Sequence, residues 1–263
     1  SLIHSLDKEN WQISKDLDVL GFIEEMKAEG KIKYVGFSFH DDYELFEEIL
    51  SSYPWDMCQI QYNYVDENHQ AGRRGLKLAR EKGIPVVIME PLKGGRLARK
   101  LPPSVEPYWK QLEAEKSPVD WAFSWLANQE GILSILSGMS NYDQLSHNIE
   151  LFDTLYPGIM KEDEIKVLSD IADAFRAAAT YGCTGCNYCM PCPKGIDIPA
   201  AIGFYNDLKV YDKAPAIYDS YSWMDHMASE CVACRKCEAL CPQHLPISGI
   251  MKKAAYELEG KII

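Results

Sequence analysis

Along residues 1–150, short apolar runs rich in β-branched and aromatic residues alternate with stretches whose apolar positions recur at helical spacing. The runs are SLIH at 1–4, IKYVGFSF at 32–39, DMCQIQYNYV at 56–65, IPVVIME at 84–90 and ILSILSG at 132–138. Between them lie amphipathic segments such as LDVLGFIEEMKAEGK, in which a glycine closes the turn. Strand followed by helix, repeated, predicts a parallel sheet buried on both faces. Each run ends in polar or small residues: His4, Ser38, Asn63, Glu90, and Ser137 with Gly138. In a (β/α)8 barrel those C-terminal strand ends carry the chemistry. Only five such units are visible, so the pattern predicts an α/β fold with an incomplete (β/α)8 barrel, its first three units missing.

Past residue 160 the pattern changes. KEDEIKVLSDIADAFRAAATYG at 161–182 reads as one linking helix with a glycine stop. Residues 183–263 hold two cysteine runs, each followed by a helical stretch, which predicts a small, mostly α-helical domain. The expected organisation is therefore a partial barrel over 1–160, a linking helix over 161–182 and a cysteine-bearing domain over 183–263. The stretch 93–118 is longer than most βα connections; it either lies over the barrel mouth or is surface ornament.

The chain has 263 residues, 47% of them hydrophobic and 25% charged, enough for one large core with a smaller domain attached. A net charge of −12 makes nucleic acid an unsuitable partner and favours a basic redox protein at an acidic surface. No apolar run reaches the ~18 residues of a membrane span. The chain opens at Ser1 without methionine, inside an apolar run, so any targeting segment lies upstream. Thiolates kept as ligands imply a reducing compartment, hence a cytoplasmic location.

Eight of the nine cysteines sit in CTGCNYCMPCP at 183–193 and CVACRKCEALCP at 231–242. Disulfides and zinc are the plainer uses of cysteine, but zinc sites pair two separated CxxC hairpins. Three cysteines at CxxCxxC spacing wrap one corner of an iron–sulfur cube, and a fourth before proline turns toward a neighbouring cube. Two such runs predict two [4Fe–4S] clusters held by Cys183, Cys186, Cys189, Cys192, Cys231, Cys234, Cys237 and Cys241. The runs differ in one respect: two residues separate Cys189 from Cys192, and three separate Cys237 from Cys241. CPKGIDIP and CPQHLPI, each followed by a helical stretch, form an internal repeat. These features resemble two-cluster ferredoxin domains of the helix-rich kind. The ferredoxin rule implies crossed ligation, with Cys241 completing the cluster of Cys183, Cys186 and Cys189, and Cys192 that of Cys231, Cys234 and Cys237.

The first 155 residues are similar to the second part of an aldo/keto reductase, from its fourth strand to its eighth. SLIHSL resembles the strand bearing the family's catalytic histidine, KIKYVGFSFHD the fifth, CQIQYNYVD the sixth, GIPVVIMEPLKGGRLA the seventh, and SGMSNYDQLSHN the eighth with its cofactor-binding helix. Together with the ferredoxin-like tail the chain resembles an iron–sulfur branch of that family. The resemblance implies hydride transfer between NADP or NAD and a small carbonyl substrate, with His4 orienting the carbonyl. The proton-donating tyrosine and its lysine and aspartate would sit on the missing strands, so the resemblance implies that this fragment alone is inactive. Ser38 and Gln59 match contacts to the nicotinamide carboxamide, whereas Phe39 stands where the family commonly has asparagine and Met89 where a tyrosine often stacks. Leu92, Lys93, Gly94 and Gly95 suit the pyrophosphate. Ser137, Gly138, Ser140 and Asn141 precede a helix whose amides favour an anion. Gln144 and Asn148 match adenine-side contacts. The alternative is a non-catalytic electron-transfer or redox-sensing module with the barrel as scaffold. Read from the residues alone, Tyr62 and Tyr64 are packing residues, Cys58 is a core thiol, and Trp121, Phe123 and Trp125 are core contacts on an outer helix.

Overall fold

The computed structural model describes residues 1–263 except 94, 99–101, 114, 179, 184, 186, 212–214 and 242, with the backbone alone at 178. Gly94 and Cys186, both expected ligand-binding residues, lie outside the described residues. The chain divides into two compact units, Ser1–Lys100 with Lys110–Ala172, and Leu101–Trp109 with Asp173–Ile263.

In the first unit β1 (Leu2–Leu6), β2 (Gly36–Phe39), β3 (Met57–Gln61), β4 (Val86–Met89) and β5 (Ile132–Ile135) form one parallel sheet in sequence order. All five expected strands are present, β2 to β5 shorter than their apolar runs. Helices α1 (Lys8–Asp16), α2 (Val19–Ala28), α3 (Tyr43–Ser52) and α4 (Gly72–Glu81) provide the crossovers through β4; α5 (Glu106–Trp109), assigned to the second unit, and α6 (Pro118–Ala127) follow it, and α7 (Tyr142–Phe152) follows β5. Helix starts are set by carboxylate, amide and hydroxyl caps. Asp7, Asp42 and Asn141 each accept the backbone N–H three residues on, and Ser117 forms a reciprocal capping box with Asp120.

Strand register sorts side chains onto two faces. Phe37, Cys58 and Val86 align across β2, β3 and β4, as do Phe39, Ile60 and Ile88, and all six are at most 1% exposed. This face packs on helices: Phe39 meets Phe46 of α3 edge-on at 5.2 Å, and Phe37 meets Trp55 at 4.8 Å. Each such side chain contributes roughly 1.5–3 kcal/mol by leaving water. The opposite face carries Ser38, Gln59, Val87 and Ser134 in one row. It is the lumen side of a barrel. β1 and β5 form the two sheet edges, and Leu2 of β1 and Leu133 of β5 are exposed.

The helix α8 (Glu162–Ala178) runs through the boundary between the units. In the second unit α9 (Ile198–Val210) and α10 (Pro215–Tyr221) follow the first cysteine run, α11 (Lys236–Leu240) lies within the second and α12 (Ile247–Glu259) follows it. Ile198, Ala201, Ile202, Tyr205 and Leu208 of α9 and Ile247, Ile250, Met251, Ala254 and Ala255 of α12 share one buried core with Tyr221. Cys183, Cys189, Cys192, Cys231, Cys237 and Cys241 pack against it. The internal repeat extends to the backbone. Gly185 and Asn187 in the first run and Ala233 and Arg235 in the second, at matching positions, all have positive φ. Gly195 and His244, three residues after Cys192 and Cys241, do as well, and each donates its N–H back to that cysteine's carbonyl. No described helix is long and apolar enough to cross a membrane.

Candidate functional site

His4 lies on the lumen face of β1, exposed, with Nδ1 3.4 Å from Ser38 Oγ. Ser38 itself is fully buried and accepts the Ser5 N–H at 2.7 Å. Its hydroxyl is therefore engaged with β1, where a carboxamide contact was expected. Gln59 is half-buried and donates from Nε2 to Met89 Sδ at 3.4 Å. Phe39 belongs to the helix-facing row, so the expected asparagine position is occupied by a core side chain.

At the end of β3 the chain folds on Asn63, which is 1% exposed. Its Oδ1 accepts the N–H groups of Val65 at 3.1 Å and Asp66 at 2.9 Å, and its Nδ2 donates to Asp66 Oδ2 and to the Glu90 carbonyl at 3.1 Å. Asp66 thereby faces Lys93, whose Nζ donates to Oδ1 at 2.6 Å. The charge expected to meet a pyrophosphate is committed to a carboxylate. Lys93 and Gly95 both have positive φ, and a Cβ on Gly95 would meet nothing within 4 Å among the described residues. At the start of α7, Ser137 Oγ accepts from Asn148 Nδ2 at 3.1 Å. Asn141 caps the Gln144 N–H at 2.9 Å, and Gln144 Oε1 accepts the Ser140 N–H at 2.9 Å. Gly138 is open to added atoms.

Tyr62 and Tyr64 are packing residues. Tyr62 stacks on Trp125 of α6 at 5.0 Å and Tyr64 meets the same ring at 6.5 Å, so both point to the helix layer. Burial pushes the Tyr62 hydroxyl up to about 12, the wrong direction for a proton donor at neutral pH. Cys58, fully buried, is likewise pushed up to about 12 and is inert. Trp121, Phe123 and Trp125 are buried on α6.

Sequence reasoning passed over His40, His69 and Asp66, which the strand ends bring near one another. Burial, with His4 nearby, holds His40 below the ordinary histidine range, and burial with Lys93 nearby does the same for His69. An Asn-x-x-Asp directly after an apolar run is the one local signal, an Asx-turn pattern. Both imidazoles resist protonation in the folded state, so the folded state binds fewer protons than the unfolded one. Stability of the first unit is then full above the unfolded histidine value of about 6.5 and declines as pH falls through the lowered folded values. Urea midpoints at pH 7.5 and 5.5 should show this loss, and His40→Gln with His69→Gln should flatten it.

The second site is a cavity of about 140 Å³ in the second unit. Cys189 and Cys192 from the first run line it together with Cys231, Cys234 and Cys237 from the second, backed by Ile198, Ile247 and Met251. The backbone N–H of Lys194 lies 3.5 Å from Cys192 Sγ. Burial, then the neighbouring Glu238, pushes the Cys237 thiol up to about 11. Among the described residues no three His, Cys, Asp or Glu converge on a single-ion site. Thiols from both runs lining one cavity suit a multi-iron cube, and each run has left-handed residues between its cysteines. The residues present fit that group. Residues 173–263 carry ten acidic and nine basic side chains, so the formal side-chain acidic excess belongs to residues 1–172.

Residues 2–159 match the aldo/keto reductase family and residues 182–245 match a 4Fe-4S dicluster domain. The chain is 36% identical over 74 residues to the acetyl-CoA decarbonylase/synthase complex subunit alpha 1 of Methanosarcina barkeri, covering 28% of this chain and 8% of that protein. It is 26% identical over 157 residues to the NADH-specific methylglyoxal reductase of Escherichia coli, covering 50% of this chain and 47% of that one. Among solved structures, a holo aldo-keto reductase from Bacillus halodurans superposes with TM-score 0.54 at 21% identity, over 69% of this chain and 59% of that one. The chain thus spans about half the length of its curated reductase relative and a small part of the other. With the parallel strands, the lumen-facing histidine and more than half of the residues matched, the chain belongs to the aldo/keto reductase family and carries a 4Fe-4S dicluster domain behind its barrel strands.

Proposed function

We propose that this chain is part of an oxidoreductase in which a nicotinamide site on the barrel's lumen face works with two [4Fe–4S] clusters in the C-terminal domain. The observation that carries the reading is the cavity in which cysteines of both runs meet. The clusters would supply one-electron transfer, one held by Cys183, Cys186, Cys189 and Cys241 and the other by Cys231, Cys234, Cys237 and Cys192. On the barrel, His4 orients a small carbonyl substrate, Gln59 reaches the nicotinamide, and the turn Leu92–Gly95 and the start of α7 meet the phosphates of NADP or NAD through backbone amides. Ser137, Gly138, Ser140, Asn141, Gln144 and Asn148 surround that helix start. The Asp66–Lys93 pair lowers the charge on offer there. A redox protein is the expected second partner.

A second reading, an electron-transfer or redox-sensing module with the barrel as scaffold, is favoured by the inward commitment of Ser38 and the outward packing of Tyr62. One preparation tests both. Anaerobically purified chain should contain about eight iron and eight sulfide atoms; stoichiometric zinc without sulfide sinks the cluster assignment. Titrated with NADPH and NADH, it should bind a dinucleotide without steady carbonyl reduction. Failure to bind either leaves the scaffold reading. Turnover abolished by Tyr62→Phe would show that a strand tyrosine is the donor after all.

A further inference from the structure

The β1 strand contains an irregularity that the lumen site uses. Ile3 pairs with Phe37 and Leu6 with Phe39, so three steps along β1 answer two along β2. With strict alternation from Ile3, Leu6 would face the lumen. One extra residue returns it to the helix-facing side, where it is fully buried, and leaves His4 on the lumen face. The extra residue is Ser5, which adopts a φ of 56°. For a residue with a side chain this conformation is strained and persists only where its surroundings hold it.

Two side chains hold it. The Ser5 N–H donates to Ser38 Oγ at 2.7 Å, and the Ser5 carbonyl accepts from Asn10 Nδ2 at 3.0 Å. Ser38 is fully buried, so its own hydroxyl proton needs an acceptor inside the protein. The oxygen already receives an N–H, and among the described residues its other hydrogen-bond neighbour is His4 Nδ1 at 3.4 Å. A proton on Nδ1 would give the oxygen two donors and leave its own hydrogen with no acceptor. A serine that donates to Nδ1 puts the imidazole proton on Nε2, the nitrogen left for a ligand.

We propose that Ser38 and Asn10 are positioning residues that lock the Ser5 bulge, with Ser38 holding His4 by Nδ1 so that it offers an Nε2–H to a carbonyl oxygen. The proposal rests on the lumen face being a carbonyl site, but its geometry can be read without turnover. Uniformly ¹⁵N-labelled chain, observed above pH 7.5 by long-range proton–nitrogen correlation with His4 assigned through His4→Gln, should show Nε2 protonated and Nδ1 as a hydrogen-bonded acceptor. Ser38→Ala should move the Nδ1 resonance to the position of an acceptor without a donor, and Ser38→Thr should restore it. Asn10→Ala, at an exposed site, should produce part of the same shift by loosening the bulge. A protonated Nδ1 in the unaltered chain overturns the proposal even if Ser38→Ala fails to fold. An Nδ1 resonance unmoved by both alanine variants does so as well. If the resonances behave as expected and no dinucleotide binds, the carbonyl-site reading fails and the positioning of His4 stands.

Discussion

Replacing Cys192 with alanine should remove the cluster held by the second cysteine run and spare the first. Iron and sulfide should fall by about four atoms each per chain, since each cube carries four of both. Proximity in sequence suggests the opposite, because Cys192 follows Cys189 after only two residues. The three-dimensional arrangement sets the expectation. Cys192 lines the cavity that Cys231, Cys234 and Cys237 surround, receives the Lys194 N–H at its sulfur, and turns away into α9 through Pro193. Cys241 is not among the lining residues of that cavity. The lost cluster is identified by comparison. The electron paramagnetic resonance spectrum of reduced Cys192→Ala should coincide with that of Cys234→Ala and differ from that of Cys183→Ala, and Cys241→Ala should pair with Cys183→Ala. A Cys192→Ala spectrum that matches Cys183→Ala means that each run completes its own cube. The short spacing and the position of Cys189 on the same cavity make that the real competitor.

Asn63→Ala should be the most damaging single polar substitution in the barrel part, lowering its unfolding free energy by about 2–4 kcal/mol. The side chain satisfies two backbone N–H groups, one backbone carbonyl and one carboxylate while 1% exposed. Its removal leaves the buried Val65 N–H without this acceptor and untethers the end of β3 from that of β4. Asn63→Asp retains the two acceptances but loses both donations and sets a second carboxylate against Asp66, so it should not rescue. Chemical denaturation followed by the fluorescence of Trp11, Trp55, Trp121 and Trp125 measures the loss. A shift below about 0.5 kcal/mol, the range of an ordinary surface change, would mean that water replaces these bonds without cost.

The parts legible in the sequence were those governed by short-range periodicity. A β-rich run flanked by amphipathic stretches has few alternatives to a buried parallel strand, and all five appeared, β2 to β5 shorter than their runs, as where β4 begins after Pro85. The cysteine runs were legible for a chemical reason: few sites need three thiols at that interval before a fourth. Site residues were less so. Ser38, read as a cofactor contact, is buried against Ser5 and His4, and Lys93, read as a phosphate cation, is paired with Asp66. Each partner lies more than 25 residues away or depends on a one-residue slip that leaves no mark in composition.

The sequence by itself determined the strand order and the class of the C-terminal domain, because alternation, helical spacing and CxxCxxC intervals act over a turn or two of chain. Only the tertiary structure decided which face each strand residue occupies and which groups meet. A single bulge at Ser5 puts His4 and Leu6 on opposite faces, and the matched packing of α9 and α12 brings Cys192 beside Cys231, Cys234 and Cys237. Hydrogen-bond partners and cavity walls are set by elements distant in the chain, and their energies depend on burial that no local pattern encodes.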